Sequence, residues 1–332
     1  MKRDKIIVLG SLAFDYIMSF EENFVNAVSI DMDREEYQST ITANSRIQHF
    51  GGTAGNIAYN LGLLNISTVS LLGSVGKDFG TLGYKDHITK FQNIDLNVDV
   101  QTDLFTAACY IVNDKKSNQM IIFHGGALDE SKNIDLRRKI ANPEQYAFAI
   151  NSTQSIEAMK NFADQLHALK IPMIFDPGQI TPLFSKEDLV DILEKSEFLI
   201  GNSFEISQVM KKTDLNEQNI LKLVKAIIKT KGSEGSELIL KTDTDELNRV
   251  EIPIASPNNV VDATGAGDGY RAGFLTGLIL SMKLLDSCRL GTILGSFVVE
   301  TNGAQTQFYD IEKVRTRFRT TFGYIPPELE NI

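Results

Sequence analysis

From Ile6 onward, short runs of consecutive apolar residues alternate with stretches whose apolar positions recur every three or four residues. Unbroken apolar runs are what strands present when both faces of a parallel sheet are covered, and they predict strands at 6–9, 68–72, 147–151, 173–176, 198–201 and 237–241. Between them Ile57/Leu61/Leu64, Ile156/Met159/Phe162/Ala163/Leu166 and Leu221/Val224/Ile228 fall on one side of a helix. The alternation predicts an α/β architecture. Two regions break the rhythm, about 15–50 and about 100–124, where polar–apolar alternation and turn residues predict antiparallel strands. Runs 108–112 and 120–123 flank the turn-like 113–118, and a small sheet drawn from both regions would fold over the open edge of the main sheet as a lid. With no composition shift, repeat or low-complexity linker along the chain, 1–332 is expected to be one domain plus that lid.

Composition narrows the partners. At 332 residues, 42% hydrophobic and 23% charged, the chain can bury one large core or two small ones. A net charge of −10 without a compensating Lys/Arg run offers nothing to nucleic acid or an anionic membrane, so an anionic ligand has to be held by local groups or by metal. Cys109 and Cys288 are too few and too far apart for a disulfide framework or a zinc site and read as core thiols. His49, His87, His124 and His167 share no ligand spacing. The basic start, Met1 to Lys5, mimics a signal peptide, but Asp15 arrives before an adequate apolar region develops, so a buried first strand is expected. The later apolar stretch 274–285 is broken by Lys283 and too short to span a bilayer. A cytoplasmic enzyme fits these bounds.

The richest stretch chemically is Val261-Asp262-Ala263-Thr264-Gly265-Ala266-Gly267-Asp268. It sets two glycines and a carboxylate at the mouth of a predicted helix, where free N–H groups and the helix dipole favour an anion. Gly265, Ala266 and Gly267 would cradle a phosphoryl group, and Asp268 would accept the proton of an alcohol beside it. A carboxylate of low pKa would suffice, since in a loose transition state the proton leaves late. Two commoner phosphate motifs are excluded. Gly73-Ser74-Val75-Gly76-Lys77-Asp78 has neither the spacing nor the hydroxyl of a P-loop, and Tyr270 stands where a dinucleotide fingerprint needs a small residue. A serine hydrolase elbow is also missing.

Other stretches follow predicted strands or open helices. Gly51 and Gly52, with Asn56 in the next helical turn, either allow close packing or bind polyol hydroxyls. Ser11 and Asp15 follow the first strand, where ligands of open α/β sheets gather; Asp15 is either a solvated loop residue or grips a diol. Asn202 and Glu205 match a capping box, and equally a pair in which Asn202 reaches donor phosphate and Glu205 holds magnesium through water. Thr230, Gly232 and Gly235 form a loop able to approach a nucleotide by backbone.

In this order the motifs resemble the PfkB/ribokinase family of ATP-dependent small-molecule kinases, from Ile6 to about Gln305. The family's glycine pair and Asn resemble Gly51-Gly52 and Asn56, its N-x-x-E Asn202/Glu205, its T-x-G-x-x-G Thr230/Gly232/Gly235, and its D-x-x-G-A-G-D Asp262/Gly265-Ala266-Gly267/Asp268. Gly73 to Gly80 resembles its GxVGxDxxG. The resemblance implies a ribokinase-like three-layer α/β/α sandwich with a mostly parallel sheet and a β lid, ATP as donor, magnesium near Glu205, and a monovalent cation, potassium, on Asp262 and the backbone near Thr264. Within the family, Gly10 to Asp15, Phe50 to Asn56, Phe123 to Ala127, Asp176-Pro177-Gly178-Gln179 and Asp268 to Gly273 look most like the bacterial adenosine-kinase-like branch. That implies a nucleoside, with adenosine the first expectation, Gln179 among the acceptor-binding residues and Phe123 a lid aromatic that stacks on a base or packs within the lid. Where that branch tends to carry another lid aromatic, Cys109 stands here, beside Tyr110. A sugar kinase is the alternative, a non-catalytic nucleotide-binding protein the remoter one, and exposed lid strands suggest a homodimer.

Overall fold

In the computed structural model, residues 3–31, 36–116, 118–242, 244 and 246–332 are described. The first residues of the chain, positions 32–35 of the first lid segment and Ser117 of the lid turn lie outside them. The main sheet has, among the described residues, the strand order Leu247–Ile252, Ser236–Lys241, Ala226–Thr230, Phe198–Asn202, Met173–Asp176, Tyr146–Ser152, Lys5–Leu9, Thr68–Leu72, Ile94–Leu96. From Ala226–Thr230 onward every pairing is parallel.

Covering layers explain the unbroken apolar runs. Ile6 and Val8 enter a core shared with helices Thr53–Leu64, Ala266–Ile279 and Leu284–Val298, whereas Ile7 and Leu9 enter a second core with helices Ile156–Ala168, Lys186–Glu194 and Ser203–Thr213. Successive side chains point to opposite faces, and each face meets a helical layer. All six predicted strands are present to within a residue or two.

Two expectations for the main sheet need correction, and two of its strands were not foreseen. The periodic set Leu221/Val224/Ile228 is not a helix: a short helix ends at Ile220 and Ile228 lies in the strand Ala226–Thr230. Two adjacent β-branched isoleucines, both fully buried between neighbouring strands, outweigh a coincidence of spacing. Ser236–Lys241 is antiparallel to its neighbours, because the loop from Lys231 to Gly235 is too short for a crossover helix. Strands Leu247–Ile252 and Ile94–Leu96 lie at the two edges, where half-exposure dilutes the apolar signal.

The small sheet forms from the two predicted regions, in the order Gln119–His124, Ala107–Asn113, Ala13–Ser19, Ser45–Gly51. Its outer pairs are antiparallel but its central pair is parallel, since the two middle strands belong to separate excursions of the chain. Cys288 is buried as expected; Cys109 is not a core thiol but sits half-buried on this sheet. The apolar stretch 274–285 is divided between two helices, and no helix of the described residues is long and apolar enough to cross a membrane.

Candidate active site

Helix Ala266–Ile279 begins at Gly265, whose φ of 79° is the left-handed conformation that favours glycine, and a Cβ there would lie 2.4 Å from that of Ala304. The turn leaves the Gly265, Gly267 and Asp268 amides without a protein acceptor among the described residues, as a helix start requires. The Ala266 amide differs from expectation: it donates to the Ala263 carbonyl at 3.2 Å and closes the turn. An anion at this helix start would therefore meet the amides on either side of it.

Asp268, in the first turn, accepts a hydrogen bond from Asn56 Nδ2 at 2.8 Å. Surrounding protein outweighs Arg271 and the Asn56 bond, so burial pushes its carboxyl up to about 7, with Asp176 and Glu205 adding to the rise. The low pKa expected of a helix-start carboxylate is overturned by this desolvation. Beneath it lies a pair that sequence reading quoted but gave no role. Arg271 forks onto Asp176 through Nε and Nη2, each at 2.5 Å, and donates Nη1 to the Gly267 carbonyl at 3.0 Å. Arg271 is 7% and Asp176 1% exposed, so each buried charge depends on the other. The pair anchors the underside of the helix-start turn.

Asp15 occupies the middle of the small sheet. Its carboxyl is pushed up to about 6 by burial, and it fills the space where Gly51 lacks a side chain, 2.1 Å from a Cβ placed there. Tyr84, fully buried, donates to the Gly51 carbonyl at 2.6 Å, and its phenol is raised above its ordinary range by burial and then by the charges of both Asp15 and Asp268. The two carboxylates thus lie near the same buried phenol. Strand register sets Phe123, Cys109, Asp15 and His49 side by side across all four lid strands, hence on one face. Phe123 is 58% exposed, an open apolar ring rather than a packed lid residue.

Some expected contacts are otherwise engaged. Ser11 Oγ accepts from Thr53 N at 3.0 Å, at the start of helix Thr53–Leu64. Gly52 (φ 85°) lets that turn press on the Ser11 carbonyl, 2.5 Å from a would-be Cβ. Asn56 holds Asp268, not an open hydroxyl site, and its Oδ1 accepts from Gln305. Gln179 is exposed, and no hydrogen bond ties it to the cleft.

On the opposite side, Asn202 and Glu205 form the capping box: Glu205 N donates to Asn202 Oδ1 at 2.9 Å, and Asn202 N to Glu205 Oε2 at 2.7 Å. Burial and then Asp176 push the Glu205 carboxyl up. A cleft of about 280 Å³ runs from the Thr230, Gly232 and Gly235 loop to Ala266 and Gly267, with Ile254, Val260 and Val299 among its walls. Its apolar walls suit a flat ring, and its end meets the free Gly267 amide. Asp262 accepts from Thr264 N at 2.9 Å and Gly303 N at 3.0 Å; burial opposes its charge, yet these amides and His49 hold its carboxyl below the ordinary range. The exposed Thr264 lies at the rim.

Known proteins resemble this chain over nearly its whole length. The chain is 31% identical over 320 residues to a nucleoside kinase of Methanocaldococcus jannaschii, covering 95% of this chain and 97% of that one. The solved structure of the M. jannaschii nucleoside kinase, described as an archaeal member of the ribokinase family, superposes with a TM-score of 0.84 at 30% identity, covering 96% and 99% of the two chains. A nucleoside kinase of Burkholderia thailandensis, solved in complex with inosine, gives 0.81 at 28% identity, covering 97% and 100%. Residues 16–311 match the profile of the pfkB family carbohydrate kinases, and the chain belongs to that family.

Proposed function

We propose that this protein is an ATP-dependent nucleoside kinase that phosphorylates the primary 5′-hydroxyl of a purine nucleoside, adenosine or inosine, in the cytoplasm, where ATP is supplied. The observation that carries the reading is the buried Asp268 carboxyl beside unengaged helix-start amides, with the Asp15 carboxyl close enough to act on the same buried phenol, Tyr84. Likeness to nucleoside kinases over nearly the whole chain supports it.

In this mechanism the adenine of ATP lies in the apolar cleft by Thr230, Gly232 and Gly235, and Thr264 and the Gly265, Gly267 and Asp268 amides face the γ-phosphate. Asp15 grips the ribose diol, Phe123 stacks on the base, and Gly51 and Gly52 give the chain its close approach. Asp268 takes the 5′-hydroxyl proton as the oxygen meets phosphorus. A carboxyl near 7 is half ionised at neutral pH and well matched to that proton. Positioning and charge stabilisation do most of the work.

One Glu205 oxygen is engaged by its cap, which leaves the other to hold magnesium through water. Among the described residues no three His, Cys, Asp or Glu side chains cluster to bind a metal unaided, so phosphate oxygens would complete the shell. Bound there, magnesium supplies charge neutralisation of the β- and γ-oxygens. Asp262, ionised and clamping two loops, is the carboxylate a potassium ion would adjoin. A second copy of this chain is the proposed lid partner, supported by exposed Ile47, Ile121 and Ile122 and the unpaired edge of Gln119–His124.

A substrate panel tests the reading. Coupled ADP release with adenosine, inosine, ribose, fructose and fructose 6-phosphate should be fastest with a purine nucleoside. Preference for a free sugar or sugar phosphate would contradict it.

A further inference from the structure

Asn56 must present Nδ2 to the Asp268 carboxylate and therefore turn Oδ1 away, and that oxygen accepts from Gln305 Nε2 at 2.9 Å. The same nitrogen donates its other hydrogen to the Tyr84 hydroxyl at 2.7 Å, which passes one on to the Gly51 carbonyl. Asn56, Tyr84 and Gln305 are all buried, so water cannot substitute for a missing partner. If the Asn56 amide flipped, its oxygen would face a carboxylate and its NH₂ would face another NH₂. The Gln305 nitrogen has only donors to offer and forbids that flip.

Resting on the reading of Asp268 as the base, we infer that Gln305 is a positioning residue: it locks the polarity of Asn56, holds the Asp268 oxygen in place through it, and ties both, by way of Tyr84, to the backbone of the glycine pair. The last Gln305 atom fits the same scheme. Its Oε1 and His87 Nε2 are both buried without a hydrogen-bond partner of good geometry, and His87 lies against Gln305. The imidazole is stacked on Phe50 (centroids 4.4 Å apart) and Tyr59 (5.2 Å). Burial, and then Lys90, push it down to about 4, so it is neutral and offers one N–H to Oε1. Polarity then runs in one direction, from His87 through Gln305 and Asn56 to Asp268.

The test measures steady-state kinetics, with a purine nucleoside as acceptor, for Gln305→Leu, the isosteric Gln305→Glu, Asn56→Ala and Asn56→Ala/Gln305→Leu, each checked by thermal melting and ADP binding. Gln305→Leu and Gln305→Glu should each lower kcat by about tenfold or more with KM for ATP near wild type, while the double variant should be no more than about twofold slower than Asn56→Ala alone. The pH midpoint of kcat should rise in both Gln305 variants, because a bond favouring ionised Asp268 is lost while Arg271, Asp176, Glu205, Tyr84 and Asp15 are unchanged around it. Folded Gln305 variants with wild-type kcat and pH midpoint, or losses that multiply in the double variant, would overturn the inference. Asp268→Asn run alongside separates the two failures. If it keeps turnover, the base assignment falls and this inference with it; if it collapses while both Gln305 variants are unaffected, only the positioning role falls.

Discussion

Asp268 carries two opposed demands. Protein packed around it disfavours charge, and the base role proposed for it requires charge. With its carboxyl near 7, kcat should rise with pH through about 7 with unit slope, as the acid form gives way to the base. A profile flat from pH 5.5 to 8.5 would remove Asp268 from the rate-limiting proton transfer. Folding responds in the opposite sense. A carboxyl raised above its unfolded value contributes stability that is complete below about 4 and is lost as pH rises through about 7, so Asp268→Asn should raise the melting temperature at pH 8 and not at pH 4. The glycines and Asp268 were legible in the sequence because their chemistry lies in eight consecutive residues. Arg271 with Asp176 was not, because 95 residues separate the partners and only the folded sheet brings a strand end under a helix start.

Two elements decide whether the cleft works. The turn proposed as the anion hole depends on a left-handed residue pressed against Ala304, so Gly265→Ala meets both backbone strain and a clash. We expect kcat to fall by about 100-fold or more, the scale of losing an oxyanion donor, with a stability loss of about 1–3 kcal/mol. Retention of wild-type kcat would show that the turn is not part of the site. The lid strand Gln119–His124 is the contrary case. Phe123 packs against little, so Phe123→Ala should leave stability within about 0.5 kcal/mol while weakening nucleoside binding by about 1–3 kcal/mol, read as a rise in KM for the nucleoside and not for ATP. An unchanged nucleoside KM would leave the ring without a part in recognition. Helical spacing at Leu221/Val224/Ile228 misled because periodicity alone does not separate a buried strand from a buried helix segment.

At the scale of the whole molecule, a three-layer body built on the large sheet carries a separate small sheet. The body was legible because doubly covered strands write apolar runs into the sequence. The lid's mixed pairing was not, because pairing between two distant excursions leaves no local trace. Asp15 on the small sheet and Asp268 at a helix start of the body both act on Tyr84, and in the proposed mechanism exclusion of water between the two parts should matter. Exposed isoleucines on the lid predict a dimer in light scattering at micromolar concentration, and Ile121→Lys/Ile122→Lys should shift the mass to that of one chain. A monomer at all concentrations would contradict the lid interface.

The most direct test of the central claim is the rate of γ-phosphate transfer from ATP to a purine nucleoside by Asp268→Asn, with ATP binding measured on the same preparation. The account predicts a loss of about 1,000-fold or more in turnover with ATP affinity within a few-fold of wild type. Turnover within about tenfold of wild type would contradict it.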